Sequence, residues 1–216
     1  MAGKTATRFG FGLIVGTFLV AFIATTGFFL ATPAPVHAWA TPPCDFLTGG
    51  GWIVFNGAKA NFAVGGGCKN GSPTWGHLEY IDHGLGLNVH GTGVTGYFFL
   101  DQGTGTDPQT GQPLGTRGIC GTARTNLYGD VNYAVRAEDS GEPGTNDQFD
   151  IRLTNPTTGA ILYDTISQCL FHYLGSYAPC APADGGGGNI QLHKPNPSTT
   201  GGFGGSCPAF PAFAGG

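Results

Sequence analysis

Glycine constrains this chain more than any other residue type. Of 216 residues, 40 are Gly and 15 are Pro, a share close to that of low-complexity, disordered chains. Both residues break long helices, and beyond residue 40 no run of ten residues carries apolar side chains at helical spacing. Yet hydrophobic residues make up 40% and aromatics 12% of the chain, enough apolar surface to close a core. The tails do not hold the excess: five glycines fall in residues 1–40 and ten from 185 onward, leaving 25 in 41–184. Such a chain folds if its glycines serve the turns of many short strands. Gly65-Gly66-Gly67, Gly84, Gly91 and Gly141 read as turn positions needing positive φ, and Gly93, Gly96 and Gly121 as bulges or close approaches within strands.

Period-2 alternation supports this reading, with runs near 51–56, 59–65, 76–82, 86–91, 93–100, 117–125, 131–138, 147–154 and 188–194, and a short one at 160–164. Val131, Tyr133, Val135 and Ala137 share one face of their strand, and Phe149, Ile151 and Leu153 share one face of the next. A simple hairpin register sets Arg136 opposite Asp150. The expected fold class is all-β, an antiparallel two-sheet β-sandwich stapled by disulfides, with a partly closed barrel as the alternative. Residues 101–116 read as a long loop, and 195–216 as a Gly/Pro-rich disordered tail tied at Cys207.

Lys4 and Arg8 precede an uncharged, largely apolar run from Phe9 to Ala31, and small residues follow up to Ala38 and Ala40. This is the pattern of a secretory signal peptide spanning 1–40, with the β-domain over 41–194. Cleavage leaves no membrane span and moves the formal charge from −4 to −6, so nucleic-acid binding through a basic surface has no support. The six cysteines, Cys44, Cys68, Cys120, Cys169, Cys180 and Cys207, all lie beyond residue 40. In an exported chain an even set reads as disulfides. The preferred pairing is Cys169 with Cys180, Cys68 with Cys120, and Cys44 with Cys207, out of fifteen that six cysteines allow.

The strings Thr48–Ile53 (TGGGWI), Gly76–Gly84 (GHLEYIDHG), Gly86–Tyr97 (GLNVHGTGVTGY), Cys120–Arg124 (CGTAR), Asp139–Phe149 (DSGEPGTNDQF) and Gly186–Pro195 (GGGNIQLHKP) together resemble the bacterial secreted domain called post-COAP. The resemblance implies an exported, all-β module often attached to larger surface or secreted proteins. It carries no catalytic residue or substrate.

Four groups of residues carry candidate chemistry. Glu138, Asp139, Glu142, Asn146, Asp147 and Asp150 surround a Gly-rich turn that could gather oxygens for calcium, against the plainer reading that Asp139 and Asp147 hold a hairpin loop through backbone N–H groups. His77 and Glu79 share one strand face with Ile81, and a hairpin with 86–91 brings them toward His90 or Asn88 as a nitrogen/oxygen metal site, with His83 close by. Glu79 with Asp82 or Asp101 is the carboxylate pair a glycosidase would need. Among Trp52, Trp75, Tyr97, Phe98, Phe99, Tyr128, Tyr173 and Tyr177, the loop residue Trp75 is the best candidate for a sugar platform.

No Gly-x-Ser-x-Gly elbow, His-Glu-x-x-His or phosphate loop occurs. The expected function is therefore a non-enzymatic structural or interaction module at the bacterial surface or outside the cell, with a cell-surface glycan or protein as partner. The alternatives are a glycan-binding module, with or without calcium, and a hydrolase using an unrecognised carboxylate pair.

Overall fold

The computed structural model describes residues 43–100, 105–182 and 186–208; the expected signal peptide, Asp101 and the end of the tail lie outside them. Ten strands form: β1 (Phe46–Phe55), β2 (Ala58–Lys69), β3 (Ser72–Asp82), β4 (Leu87–Phe99), β5 (Gly115–Thr125), β6 (Gly129–Asp139), β7 (Gln148–Thr154), β8 (Ile161–Asp164), β9 (Gly188–His193) and β10 (Gly204–Gly205). No helix occurs among the described residues, and none is long and apolar enough to cross a membrane.

The expected all-β, antiparallel, disulfide-stapled class is the one observed. One antiparallel sheet runs β8-β7-β6-β5-β4-β3-β2-β1-β9 without closing into a barrel. Its sandwich-like layers arise because the sheet doubles back on itself. Phe62 of β2 stacks on Phe149 of β7 with ring centroids 3.8 Å apart, and Phe55 of β1 meets Tyr163 of β8 at 5.3 Å. The bend falls at β4 and β5, where the register slips between Gly91 and Gly93 and again between Val94 and Gly96. Bulges increase local bend and twist, so the glycines expected to mark them do so. Gly121 sits opposite, where an added Cβ would run into the Tyr133 ring.

Turn chemistry explains the meander at the other end. Asn56-Gly57 joins Phe55 to Ala58, and Asn70-Gly71 joins Lys69 to Ser72. All four residues have positive φ, at 50°, 79°, 51° and 85°, as a two-residue type I′ hairpin requires. These turns let β1, β2 and β3 run longer than expected, so Gly65-Gly66-Gly67 lies inside β2 rather than at a turn. The expected runs 86–91 and 93–100 are one bulged strand, β4.

β3 and β4 pair only from Glu79–His90 to Asp82–Leu87, and beyond this they diverge. β10 fills the opening by pairing Gly204 and Gly205 with Tyr97 and Gly96. Phe203 packs against Tyr97 and Phe99 at 5.4 and 5.5 Å. Gly204 and Gly205 of the expected tail are thus built into the sheet beside Cys207, because β4 has an unpaired edge there and Phe203 has an apolar seat.

The disulfides correct two expected pairings. Cys44 bonds Cys68 and Cys120 bonds Cys207, with Cα separations of 5.9 and 5.2 Å, while Cys169 bonds Cys180 as expected at 5.5 Å. Cys44 lies just before β1 and Cys68 near the end of β2, which the β1–β2 register makes neighbours: Phe46 pairs with Gly67. Cys120 faces Gly96 across the β4–β5 ladder, beside β10. Three disulfides among the described residues are the chemistry of an oxidising compartment.

Candidate metal centre on the outer face of β3–β5

Side-chain parity puts His77 and Glu79 on the outer face of β3, with Leu78, Tyr80 and Asp82 buried on the other. His90 is paired directly with Glu79 across β3–β4, and Arg124 of β5 with His90 across β4–β5. This register forms a row Glu79–His90–Arg124 over three strands. His77 Nε2 lies 2.9 Å from Glu79 Oε1, and His90 Nδ1 contacts the same oxygen closely. The two imidazoles approach edge to face at 5.2 Å. One ligand atom from each of the three residues lies within 4.8 Å of the others.

Two imidazole nitrogens and one carboxylate oxygen are a donor set suited to zinc and related divalent transition ions. Ligands around a tetrahedral ion with bonds near 2.0–2.1 Å sit about 3.3 Å apart, so a slight opening of the Glu79 contacts makes room. The side chains are 53%, 43% and 66% exposed for His77, Glu79 and His90, free to make that adjustment. The same exposure argues against catalysis at this place, which gains most from a water-excluded, preorganised environment. Of the residues expected near this cluster, Asn88 spends its backbone N–H on Asn126 and lines the neighbouring groove, and His83 bonds Asn61.

The acidic loop is put to other work. Asp139 accepts the Gly141 N–H at 2.9 Å and the Leu192 N–H at 2.7 Å, and Asp147 accepts those of Ser140 at 2.9 Å and Ile190 at 2.7 Å. Each carboxylate thus spans its own loop and the outer edge of β9, covering backbone donors that would otherwise invite another strand. Glu142 accepts from Asn189 and Gln191 of the same strand. Glu138 accepts from Ser140 and Thr116, Asn146 is exposed, and Asp150 is buried between Arg136 and His172. The geometry favours the hairpin-holding reading of the loop.

Burial, aided by the nearby charges of Asp139 and Glu142, pushes the Asp147 carboxyl up to about 7, and burial also raises Asp139. A carboxyl whose folded value exceeds its unfolded one binds a proton on folding, so its contribution to stability falls as the pH rises from about 4 to 7. Asp147→Asn, neutral throughout, is expected to remove that slope, at the pH-independent cost of one backbone contact. In denaturant titrations the wild type should lose about 2 kcal/mol relative to the variant between pH 5 and 7. A carboxyl signal for Asp147 titrating near 4 by NMR would contradict this.

The remaining candidates separate. Asp82 is buried and accepts the Tyr163 hydroxyl at 2.8 Å and the Gly84 and Leu85 N–H groups. It lies on the opposite face from Glu79, so these two do not form a glycosidase pair; Asp101 is outside the described residues. Trp75 stands edge-on to Phe46 and lines a recess of about 90 Å³, small beside the several hundred Å³ of ligand pockets. Tyr97 is fully buried, and burial raises its phenol far above the ordinary range. A second aromatic pair joins the half-buried Trp52 to the exposed Tyr177 at 5.3 Å, with Lys59 Nζ 3.9 Å from the Trp52 ring centre. Trp52 is paired with Asn61 across β1–β2, and its carbonyl accepts the Gly175 N–H of the segment that carries Tyr177. No family model, curated protein or solved structure matches the chain.

Proposed function

We propose that the protein is an exported, non-enzymatic binding module of the kind the post-COAP resemblance implies, working at the bacterial surface or outside the cell, and that it holds a divalent transition ion through His77, Glu79 and His90. The observation that carries the reading is the convergence of three metal-ligating atoms from two adjacent, rigidly paired strands. A β-ladder fixes the Cβ positions of all three residues, so only side-chain torsions have to adjust to bring the three donors onto one ion. Zinc suits this set by charge and donor type.

Isothermal titration of the chelator-stripped protein with Zn²⁺ tests this. One ion should bind per chain, His90→Ala should weaken binding about a hundredfold or more, and Zn²⁺ at a hundred times its dissociation constant should raise the melting temperature by about 5–10 °C, reversed by EDTA. Equal binding by wild type and His90→Ala would dismiss the site.

A further inference from the structure

The metal site does not stand alone on its face. Glu79 and His90 also form one wall of a groove of about 340 Å³ whose other walls include Ile81, Asn88, Arg124 and Asn126. Ile81 is 40% exposed, an apolar side chain on an otherwise polar outer row. Arg124 occupies the register position directly across from His90, where Cβ atoms are about 5 Å apart. Its Nε donates to Asp130 at 3.3 Å in a pair that is 75% exposed on both sides, where water competes and the pair holds the side chain only weakly. Its terminal nitrogens take no hydrogen bond among the described residues. Asn126, by contrast, is committed to the Gly86 carbonyl and the Asn88 N–H.

The charges around this groove are unbalanced once an ion is present. A divalent ion with Glu79 as its one anionic ligand would keep a net positive charge, and three protein donors would leave it a coordination position for a further ligand, with Glu79 and His90 both lining the groove. A guanidinium nearby presents planar, paired donors that match a carboxylate.

Resting on the metal reading above, we infer that the groove takes a small organic carboxylate, whose carboxyl oxygens complete the coordination of the ion and accept from Arg124 while its apolar body lies against Ile81. The metal gives the attachment, Arg124 selects the carboxylate, and Ile81 favours ligands with an apolar portion over bare anions.

The test uses the whole protein loaded with Co²⁺, whose visible absorption band reports its coordination sphere, and titrates it with benzoate, acetate and inorganic phosphate. Benzoate should alter the band and bind about tenfold more tightly than acetate. Arg124→Gln should weaken benzoate about tenfold while leaving Co²⁺ affinity unchanged, and Ile81→Ser should bring benzoate down to the level of acetate. Both positions are exposed, so neither variant endangers folding. If Co²⁺ binds but benzoate leaves the band untouched, or phosphate or acetate binds as tightly as benzoate, or Arg124→Gln has no effect, the carboxylate site is wrong and the metal site stands. If Co²⁺ does not bind, the metal reading itself falls and this inference with it.

Discussion

Replacing Cys120 and Cys207 together by alanine is expected to lower the free energy of unfolding by about 4–5 kcal/mol, the largest effect of any change considered. The bond links positions 87 residues apart, and the loss of unfolded-chain entropy grows with the length of the closed loop. The consequence is also local. Cys207 follows β10, whose two residues fill the unpaired edge of β4, and Phe203 is seated between Tyr97 and Phe99. Without the bond the segment has two ladder residues, the Ser206–Thr95 contacts and one aromatic ring to hold it. Amide exchange at Ser206 should therefore rise toward that of an open chain while β5 and β6 stay protected. The Cys169–Cys180 bond closes only 11 residues, and its removal should cost about 3 kcal/mol by the same relation. A loss below about 1 kcal/mol for the Cys120/Cys207 pair would show that the native state does not depend on the tie.

The second large effect concerns the buried ion pair. Arg117 and Asp45 are 2% and 4% exposed, with Nη2 to Oδ2 at 2.6 Å and Nε to Oδ1 at 3.2 Å. Tyr97 donates to Asp45 at 2.8 Å, Arg117 donates to the Thr116 carbonyl, and the guanidinium lies 4.5 Å from the Phe99 ring centre. Asp45→Ala leaves a guanidinium buried without its counter-charge and should destabilise by about 3–5 kcal/mol. Arg117→Met strands the carboxylate and should cost a similar amount. The double variant should cost much less than the sum, because it removes both buried charges together. Additive losses in denaturant titrations of the four proteins would contradict this coupling.

Several features were legible locally. Parity placed His77 and Glu79 on one face, and the pairing of Arg136 with Asp150 follows from a hairpin register that the structure bears out at 3.2 Å. Bulges at Gly93 and Gly96 were legible because a strand glycine offers no side chain to pack. The lengths of β1, β2 and β3 exceed what alternation alone suggests, because Asn56-Gly57 and Asn70-Gly71 are direct hairpin signals that set the strand ends. An Asn-Gly pair supplies two consecutive residues that tolerate positive φ, whereas Gly65–Gly67 keeps extended backbone inside β2.

Other features had no local signal. Choosing His90 rather than Asn88 as the third ligand requires the β3–β4 register, which alternation alone leaves open to a two-residue shift. The disulfide pairing depends on which strand ends meet, and the recruitment of β10 depends on the divergence of β3 from β4. Asp139 and Asp147 look like calcium ligands in isolation because their partners, the Leu192 and Ile190 N–H groups, belong to a strand more than 40 residues away.

By itself, then, the sequence determined the class: short antiparallel strands, glycine-rich turns and bulges, and cysteines destined for an oxidising compartment, all set by backbone preferences and side-chain parity within a few residues. Only the tertiary structure decided that one sheet doubles back to make two layers, that the tail becomes a strand, and that His77, Glu79, His90 and Arg124 form one row. Those outcomes rest on contacts between distant segments, whose free energy depends on register and long-range packing rather than on any local pattern.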